Sequence, residues 1–296
     1  MNLLGGCSNR WFCIRKTDAF FRLLAGFLLL LLLLSSTEKA PAASPIAMTD
    51  IRVGLAALYG EKSEIKISNS KIGLGYCIND SYQTDLELSS STGFVFTPAN
   101  GYYYSLAKTY SSYANAERAA VVIRGLGVEA WPVAIYRNYW RVYVGGNASK
   151  AQAETVYAKI KDRFGYSYSL LMPDNAQRVL VKADRYAFLL DGEKKSAYPQ
   201  FKALTADAKG NYILNLGSRS YRGRIEIGCY GKKSVTAVNI LQIDSYLYGV
   251  VPCEMQANYA LEALKAQAVC ARSFALMKVE YKADSNISRA YYLEDT

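Results

Sequence analysis

Histidine is absent from all 296 residues. Ser-His-Asp and Cys-His catalysis are thereby excluded within this chain, as is any zinc site that needs imidazole. Cysteines are few, 6 in all, and no two are spaced Cys-x-x-Cys, which argues against a thiolate zinc site. No metal or cofactor is expected. The leucine-rich stretch Leu23–Leu34 holds 12 residues, short of the roughly 20 that span a bilayer. Interleaved basic and aromatic residues of the kind that grip nucleic acid are also missing, so no nucleic-acid partner is expected.

What is present fits a folded, exported protein. The chain is 51% apolar and 20% charged, a globular balance rather than a disordered one. Arg10, Arg15, Lys16 and Arg22 precede or open the leucine run, and Ala40-Pro41-Ala42 offers a small-residue cleavage site. Residues 1–42 therefore read as an export signal, either cleaved or kept as an anchor. The location that follows is extracytoplasmic: secreted, or associated with the cell wall or membrane. Losing Arg10, Arg15, Lys16, Arg22 and Lys39 together with Asp18 and Glu38 lowers the net charge from +10 to +7. A basic exported surface is attracted to an anionic wall, although a merely solvated surface carries the same charge. Cys77, Cys229, Cys253 and Cys270 remain. They allow three disulfide pairings in an oxidising compartment, but buried free thiols are the simpler reading. The 25 tyrosines suit either sugar faces or plain strand packing.

Short alternating runs at Ile51–Leu55, Ile65–Ser68, Lys71–Leu74 and Leu86–Leu88 read as strands. Residues 101–170 change character. Tyr102–Ala107 reads as a strand and Tyr113–Gly127 as a helix with Ala116, Ala119, Ala120 and Ile123 on one face. Two strands, Val128–Tyr136 and Tyr139–Val144, surround the Arg137-Asn138 turn. Ser149–Phe164 is a second helix, capped by Asn147 or Ser149, and a strand near Tyr166–Leu171 follows. Tyr113–Glu117 also matches Lys150–Glu154 at an offset of 37 residues. Two such halves give a four-stranded antiparallel sheet with both helices on one face, the ferredoxin-like βαββαβ arrangement, and leave the other face open. Alternation puts Tyr139, Arg141 and Tyr143 on one face and Trp140, Val142 and Val144 on the other.

Further strands are expected at Arg178–Val181, Tyr186–Leu190, Tyr212–Leu216 and Tyr221–Ile227, with Asp191-Gly192 and Gly210-Asn211 as hairpin signals. A buried strand around Val238–Leu241 leads through a short turn to a long helix. Leu261, Leu264, Ala268, Ala271, Ala275 and Val279 recur on one face of that helix. Pro252 suits a helix start, with Glu254 a lone carboxylate at the junction.

Tyr246–Met255 (YLYGVVPCEM) and Glu262–Ala275 (EALKAQAVCARSFA) together resemble the signature of the stage II sporulation protein D (SpoIID) family, which includes the amidase enhancer LytB. Cys253 and Cys270 stand where that family has small residues, and Ser273-Phe274 where it has Thr-Tyr. The family's domain continues past the position equivalent to Thr296, so a C-terminally incomplete chain is expected. The 101–170 segment resembles the SPOR domain through its opening aromatic strand, the Ala-rich helix, Gly127–Ala130 and Tyr139–Gly146 (YWRVYVGG). The fold expected from both resemblances is α+β. A β-rich SpoIID-like domain with a long helix (43–98 and 171–296) is interrupted by a ferredoxin-like SPOR-like domain (99–170).

The SpoIID resemblance implies an exported cell-wall protein that cleaves denuded peptidoglycan glycan strands as a lytic transglycosylase, with Glu254 as the catalytic acid. An ordinary glycosidase needs two carboxylates. When the sugar's own 6-hydroxyl attacks, one carboxylate that gives and then takes a proton is enough. The SPOR resemblance implies glycan binding on the open sheet face, for which Tyr103, Trp131, Tyr139, Trp140 and Arg141 are the candidates. Arg272 is a further candidate sugar contact. Each has a structural alternative: Glu254 complementing a helix dipole, Trp140 packing on the helices, Arg272 anchoring its helix. The second functional reading is a non-catalytic enhancer of an N-acetylmuramoyl-L-alanine amidase. The expected partners are thus peptidoglycan glycan strands and a cell-wall amidase.

Overall fold

The computed structural model describes residues 50–78, 81–164, 168–171, 177–192, 198–230, 232–284 and 293–294. The export-signal reading of residues 1–42 lies outside them. The first elements are β1 (Asp50–Gly54), α1 (Ala56–Tyr59), β2 (Ile65–Ile67), β3 (Lys71–Ile78), β4 (Ser81–Ser89) and β5 (Phe94–Pro98). Next come β6 (Tyr102–Leu106), α2 (Tyr113–Arg124), β7 (Ala130–Tyr136), β8 (Tyr139–Asn147), α3 (Lys150–Phe164) and β9 (Tyr168–Leu171). The strands β10 (Arg178–Ala183), β11 (Tyr186–Asp191), β12 (Gln200–Ala203), β13 (Ile213–Leu216), β14 (Arg219–Arg222), β15 (Arg224–Gly228) and β16 (Thr236–Gln242) follow. The chain then runs through α4 (Ile243–Glu254), α5 (Leu261–Asp284) and β17 (Leu293–Glu294). The fold is α+β and dominated by strands.

The strands make two sheets. One has seven strands in the order β17-β1-β16-β15-β12-β3-β4, the other ten in the order β14-β13-β2-β5-β10-β11-β7-β8-β6-β9. Their facing sides share one apolar core. Ile72, Leu74, Phe201 and Ile225 come from the first sheet, and Phe94, Phe96, Val181 and Phe188 from the second. Phe96 and Phe201 meet edge to face at 4.9 Å. The period-2 alternation of β15 turns Ile225 and Ile227 into this core and sends Glu226 to the other face. There Arg52 grips Glu226 with both guanidinium nitrogens, at 2.7 and 3.1 Å, and the Tyr230 hydroxyl donates to it at 2.8 Å. A carboxylate only 1% exposed needs that full set of partners, because an unpaired buried charge costs several kcal/mol.

Within residues 101–170 the strands lie in the order β7-β8-β6-β9, each pair antiparallel. Both helices cover one face. Ala116, Ala120 and Ile123 of α2 and Ile160 of α3 are buried with Trp140, Val142 and Val144 of β8. Tyr104 of β6 stacks on Tyr157 of α3 at 4.7 Å. The two sequence-repeat segments are the first turns of α2 and α3. Ser112 and Ser149 cap them, each hydroxyl accepting from an N–H three residues on at 3.3 Å.

This segment is joined to the rest along a strand and at a turn. β7 pairs in parallel with β11, Val133 beside Leu189 and Ala134 beside Leu190, so one sheet runs through both. At the β7–β8 turn, the Asn138 N–H donates to both carboxylate oxygens of Asp85 at 3.2 Å, and Tyr136 lies 5.2 Å from Tyr76.

Three local expectations change. β5 has no counterpart among the strands read from sequence. β11 and β12 belong to different sheets, so Asp191-Gly192 marks a crossing between sheets and not a hairpin. The run Tyr221–Ile227 is not one strand: it breaks at Gly223, where the chain passes from the ten-stranded to the seven-stranded sheet. Gly223 has φ +82°, and a Cβ there would stand 2.4 Å from the Ile240 carbonyl oxygen. Gly210 has a similar φ of +79° but open space around it. Gly210→Ala should therefore cost about 1 kcal/mol of backbone strain. Gly223→Ala, which adds a backbone clash, should cost about 2–4 kcal/mol. Equal losses on thermal and urea unfolding would show that Gly223 is not a tight corner.

Candidate functional site

The C-terminal site is built from β16 outward. Six of the seven residues of β16 are buried, because the strand lies between β1 and β15. It runs directly into α4: Gln242 is extended at φ −65°, ψ 146°, and Asp244 occupies the first helical turn, at the positive pole of the helix dipole. The short turn expected here is instead a helix. Pro252 lies inside its last turn, and Glu254 is its final residue. Pro252 cannot donate to the Tyr248 carbonyl, but Tyr248 is 70% exposed and water can satisfy it. Glu254 thus stands at the negative end of α4, where a helix-start position was expected.

α5 returns along α4. Ala271 and Ala275 are buried and Leu264, Ala268 and Val279 half-buried, as the apolar periodicity requires. Leu261 departs from it, at 65% exposure. Gln267 lies on the half-buried stripe, and its side-chain amide donates to the Glu254 carboxylate across the two helices. Glu254 is otherwise exposed. Burial raises the pKa of the neighbouring Tyr246 phenol, and the Glu254 charge adds to that rise. Arg272 makes an exposed ion pair with Asp244. Asp244 is ten residues before Glu254, about 15 Å along a helix. Arg272 therefore ties α5 to the far end of α4 and does not stand beside Glu254. Glu262 and Lys265 pair on the exposed side of α5 at 2.8 Å.

The candidates on the 101–170 sheet separate into three environments. Trp140 is 1% exposed and packed among Tyr113 and Phe188, with ring centroids 5.5 and 5.8 Å away. It belongs to the helix side of the sheet and has no surface for a sugar. Tyr103 is on the opposite face but 5% exposed, beside Tyr143 at 6.4 Å. The Arg178 guanidinium covers its ring at 4.9 Å. β10 and β6 are four strands apart in the sheet order, about 19 Å if the sheet were flat. The contact therefore requires the sheet to curl, and the curl closes this end of the face that the sequence suggests is open. Tyr143 donates to Asp191 at 2.6 Å inside the same fold. Tyr139 and Arg141 remain together and half-buried, with Arg141 donating to the Tyr139 hydroxyl at 2.8 Å. Trp131 is half-buried near the start of β7, packed beside Tyr143 and Val133.

All four described cysteines are free. Only Cys229 is buried; Cys253 and Cys270 are exposed, against the expectation of buried thiols. Burial pushes the Cys229 thiol up to about 12, against the opposing charge of Arg178. Among the described residues no group of acidic or cysteine side chains is placed to hold a metal ion. No helix among them is long and apolar enough to cross a membrane.

The partners of the central carboxylate escape a reading of the sequence. Gln267 is a polar residue in an otherwise apolar helical stripe, which is the signal that could have exposed it. Asp244 could have been paired with Arg272 only once α4 was recognised as a helix.

Residues 231–296, which hold β16, α4 and α5, match the family model of SpoIID, stage II sporulation protein. That match associates this part of the chain with cell-wall function and with a family of peptidoglycan-degrading enzymes. A segment of 46 residues is also 46% identical to an uncharacterized protein of Brachyspira hyodysenteriae (strain ATCC 49526 / WA1). The alignment covers 16% of this chain and only 12% of that relative's length. No solved structure matches the chain.

The placement of Trp140 gives a direct expectation. Trp140→Ala should lower stability by about 3–5 kcal/mol, as for other buried large-to-small changes. Urea unfolding measures it, and a change below about 1 kcal/mol would return Trp140 to the list of surface candidates.

Proposed function

We propose that this is an exported cell-wall protein that binds peptidoglycan and cleaves denuded glycan strands as a lytic transglycosylase. The observation that carries the reading is the SpoIID match over residues 231–296, which contains an exposed carboxylate, Glu254, at the open junction of α4 and α5. In this reaction Glu254 gives its proton to the oxygen linking N-acetylmuramic acid to N-acetylglucosamine, and the C1–O bond breaks. The muramic 6-hydroxyl closes on C1, and its proton returns to Glu254. One carboxylate thus serves both halves, and no second acid is needed. Gln267 holds the carboxylate toward the junction, and the Asp244–Arg272 pair keeps the two helices in register. Tyr139 and Arg141 supply a ring and a cation for the bound strand.

One observation favours the amidase-enhancer alternative as a second reading. Leu261, Val269, Phe274 and Met277 of α5 are each more than half exposed, and exposed large apolar side chains suit a protein interface. Both readings place the chain at the wall.

The two readings separate on one substitution. Glu254→Gln keeps volume and hydrogen bonding but cannot exchange the proton. Glycan cleavage should fall on the order of 10²–10⁴-fold, with an unchanged melting temperature because Glu254 is exposed. Cleavage retained in a folded Gln variant would contradict the acid assignment.

A further inference from the structure

Two sides of α5 are apolar. One packs on the domain, with Ala271 and Ala275 buried and Leu264 and Ala268 half-buried. Along the other run Ala263, Ala266, Cys270, Phe274 and Met277. Successive steps of three, four, four and three residues hold these side chains to one stripe of the helix. Ala263 is half-buried and the other four are exposed, Phe274 at 51% and Met277 at 53%. Lys278 lies over the Phe274 ring at 5.3 Å and still leaves half of it to solvent. The cysteine at the middle of the stripe is a free thiol. A helix that is apolar on two sides is suited to burial on both.

We propose that this stripe pairs α5 with the α5 of a second copy of the chain, and that Cys270 forms a disulfide with its own equivalent there. The occupant follows from the order of residues. The spacing reads the same in both directions from Cys270, and the small residues before it mirror the large ones after it. A two-fold axis at Cys270 therefore sets Ala266 against Phe274 of the second copy, and Ala263 against its Met277. Helices crossing at about 50° lay their i±4 rows side by side, and Ala266, Cys270 and Phe274 form such a row. Axes about 8–10 Å apart, with Cα atoms about 2.3 Å from each axis, leave facing Cα atoms roughly 3.4–5.4 Å apart. That range overlaps the about 4.4–6.8 Å that a disulfide spans. One helix per side is small beside the roughly 800 Å² per partner of a standard interface, so the apolar contact aligns the thiols and the bond holds the pair. The oxidant is a small disulfide such as oxidised glutathione. One Cys270 thiolate attacks it, and one glutathione leaves as a mixed disulfide forms. The Cys270 thiolate of the second copy then attacks the protein sulfur, and the other glutathione leaves. Two thiols are oxidised, one disulfide is reduced, and both thiol protons end on glutathione. The inference does not depend on the glycan reading. It gives to a second copy the face that the amidase-enhancer alternative gives to another protein.

Thiol oxidation of the purified protein tests it. The protein is incubated with a mixture of oxidised and reduced glutathione and run on a non-reducing gel, and the linked peptides are mapped by mass spectrometry. The expected product is a dimer joined from Cys270 to Cys270, which dithiothreitol returns to monomer. Cys253 is also exposed and free but lies on α4, off the stripe, so it serves as an internal control. Cys253→Ser should leave the dimer in place, and Cys270→Ser should abolish it. Phe274→Glu keeps the thiol and removes the apolar contact. It should slow the Cys270 linkage at least about tenfold, the effect of losing roughly half of a phenylalanine's burial at each of two symmetric contacts. Its melting temperature should match the parent's, because the ring is exposed, and Met277→Glu repeats the test at an independent position. A protein that stays monomeric under oxidation would overturn the proposal and leave the stripe to a different partner. Linkage through Cys253 as readily as through Cys270, or a Cys270 linkage that neither glutamate variant slows, would also overturn it, since both mean that exposed thiols oxidise on random collision.

Discussion

The position of the candidate acid depends on the antiparallel pairing of β1 with β16. The two strands run in register from Asp50 beside Gln242 to Gly54 beside Val238. This joins the first described strand to the strand that feeds α4, and it fixes where α4 begins. Ile51 and Val53 of β1 and Leu241 of β16 form an apolar seat with Ile243, and Ala275 of α5 packs into it. Small residues at 271 and 275 let α5 approach closely enough to lie along α4. Glu254 and Gln267 meet only because both helices are set by that seat. The meeting of Glu254 and Gln267 at the junction is thus a consequence of strand pairing some distance away.

The second constraint is the curl of the ten-stranded sheet. A flat four-stranded sheet would leave Tyr103, Tyr139, Arg141 and Tyr143 on one open platform. The parallel join of β7 to β11 and the bend that brings Arg178 over Tyr103 turn half of that platform inward. The arginine and tyrosine then serve packing. What stays accessible is displaced toward the β7–β8 turn, where Tyr139 and Arg141 sit, and toward the start of β7 at Trp131. The half-buried side chains of this face therefore lie at the turn and at the start of β7 more than at the centre of the sheet.

Much of this was legible in the sequence where local rules suffice. The helices at 113–124 and 150–164 follow from serine caps and alanine spacing, and the opposite faces of Trp140 and Arg141 follow from strand alternation. The stripe Leu264, Ala268, Ala271, Val279 was readable for the same reason. What could not be read are features set by non-local packing. Gly223 breaks a convincing strand because Ile240 of another strand passes behind it. Pro252 ends a helix when it would ordinarily begin one, because β16 delivers an apolar helix directly from the sheet edge. Sequence leaves Arg272 open between a sugar contact and a helix anchor, and its partner Asp244 is a residue whose helical state is not apparent there. Tyr103 was buried by a guanidinium 75 residues away along the chain, at Arg178.

The most direct test of the account is the chemical nature of the product. Purified protein incubated with stem-peptide-free glycan and followed by mass spectrometry should release fragments ending in 1,6-anhydro-N-acetylmuramic acid. Fragments ending in ordinary reducing sugars would mean that water attacks, which a single carboxylate at the α4–α5 junction does not explain. No fragments at all, together with stimulation of a wall amidase on addition of this protein, would contradict the central claim and leave the junction as a docking surface.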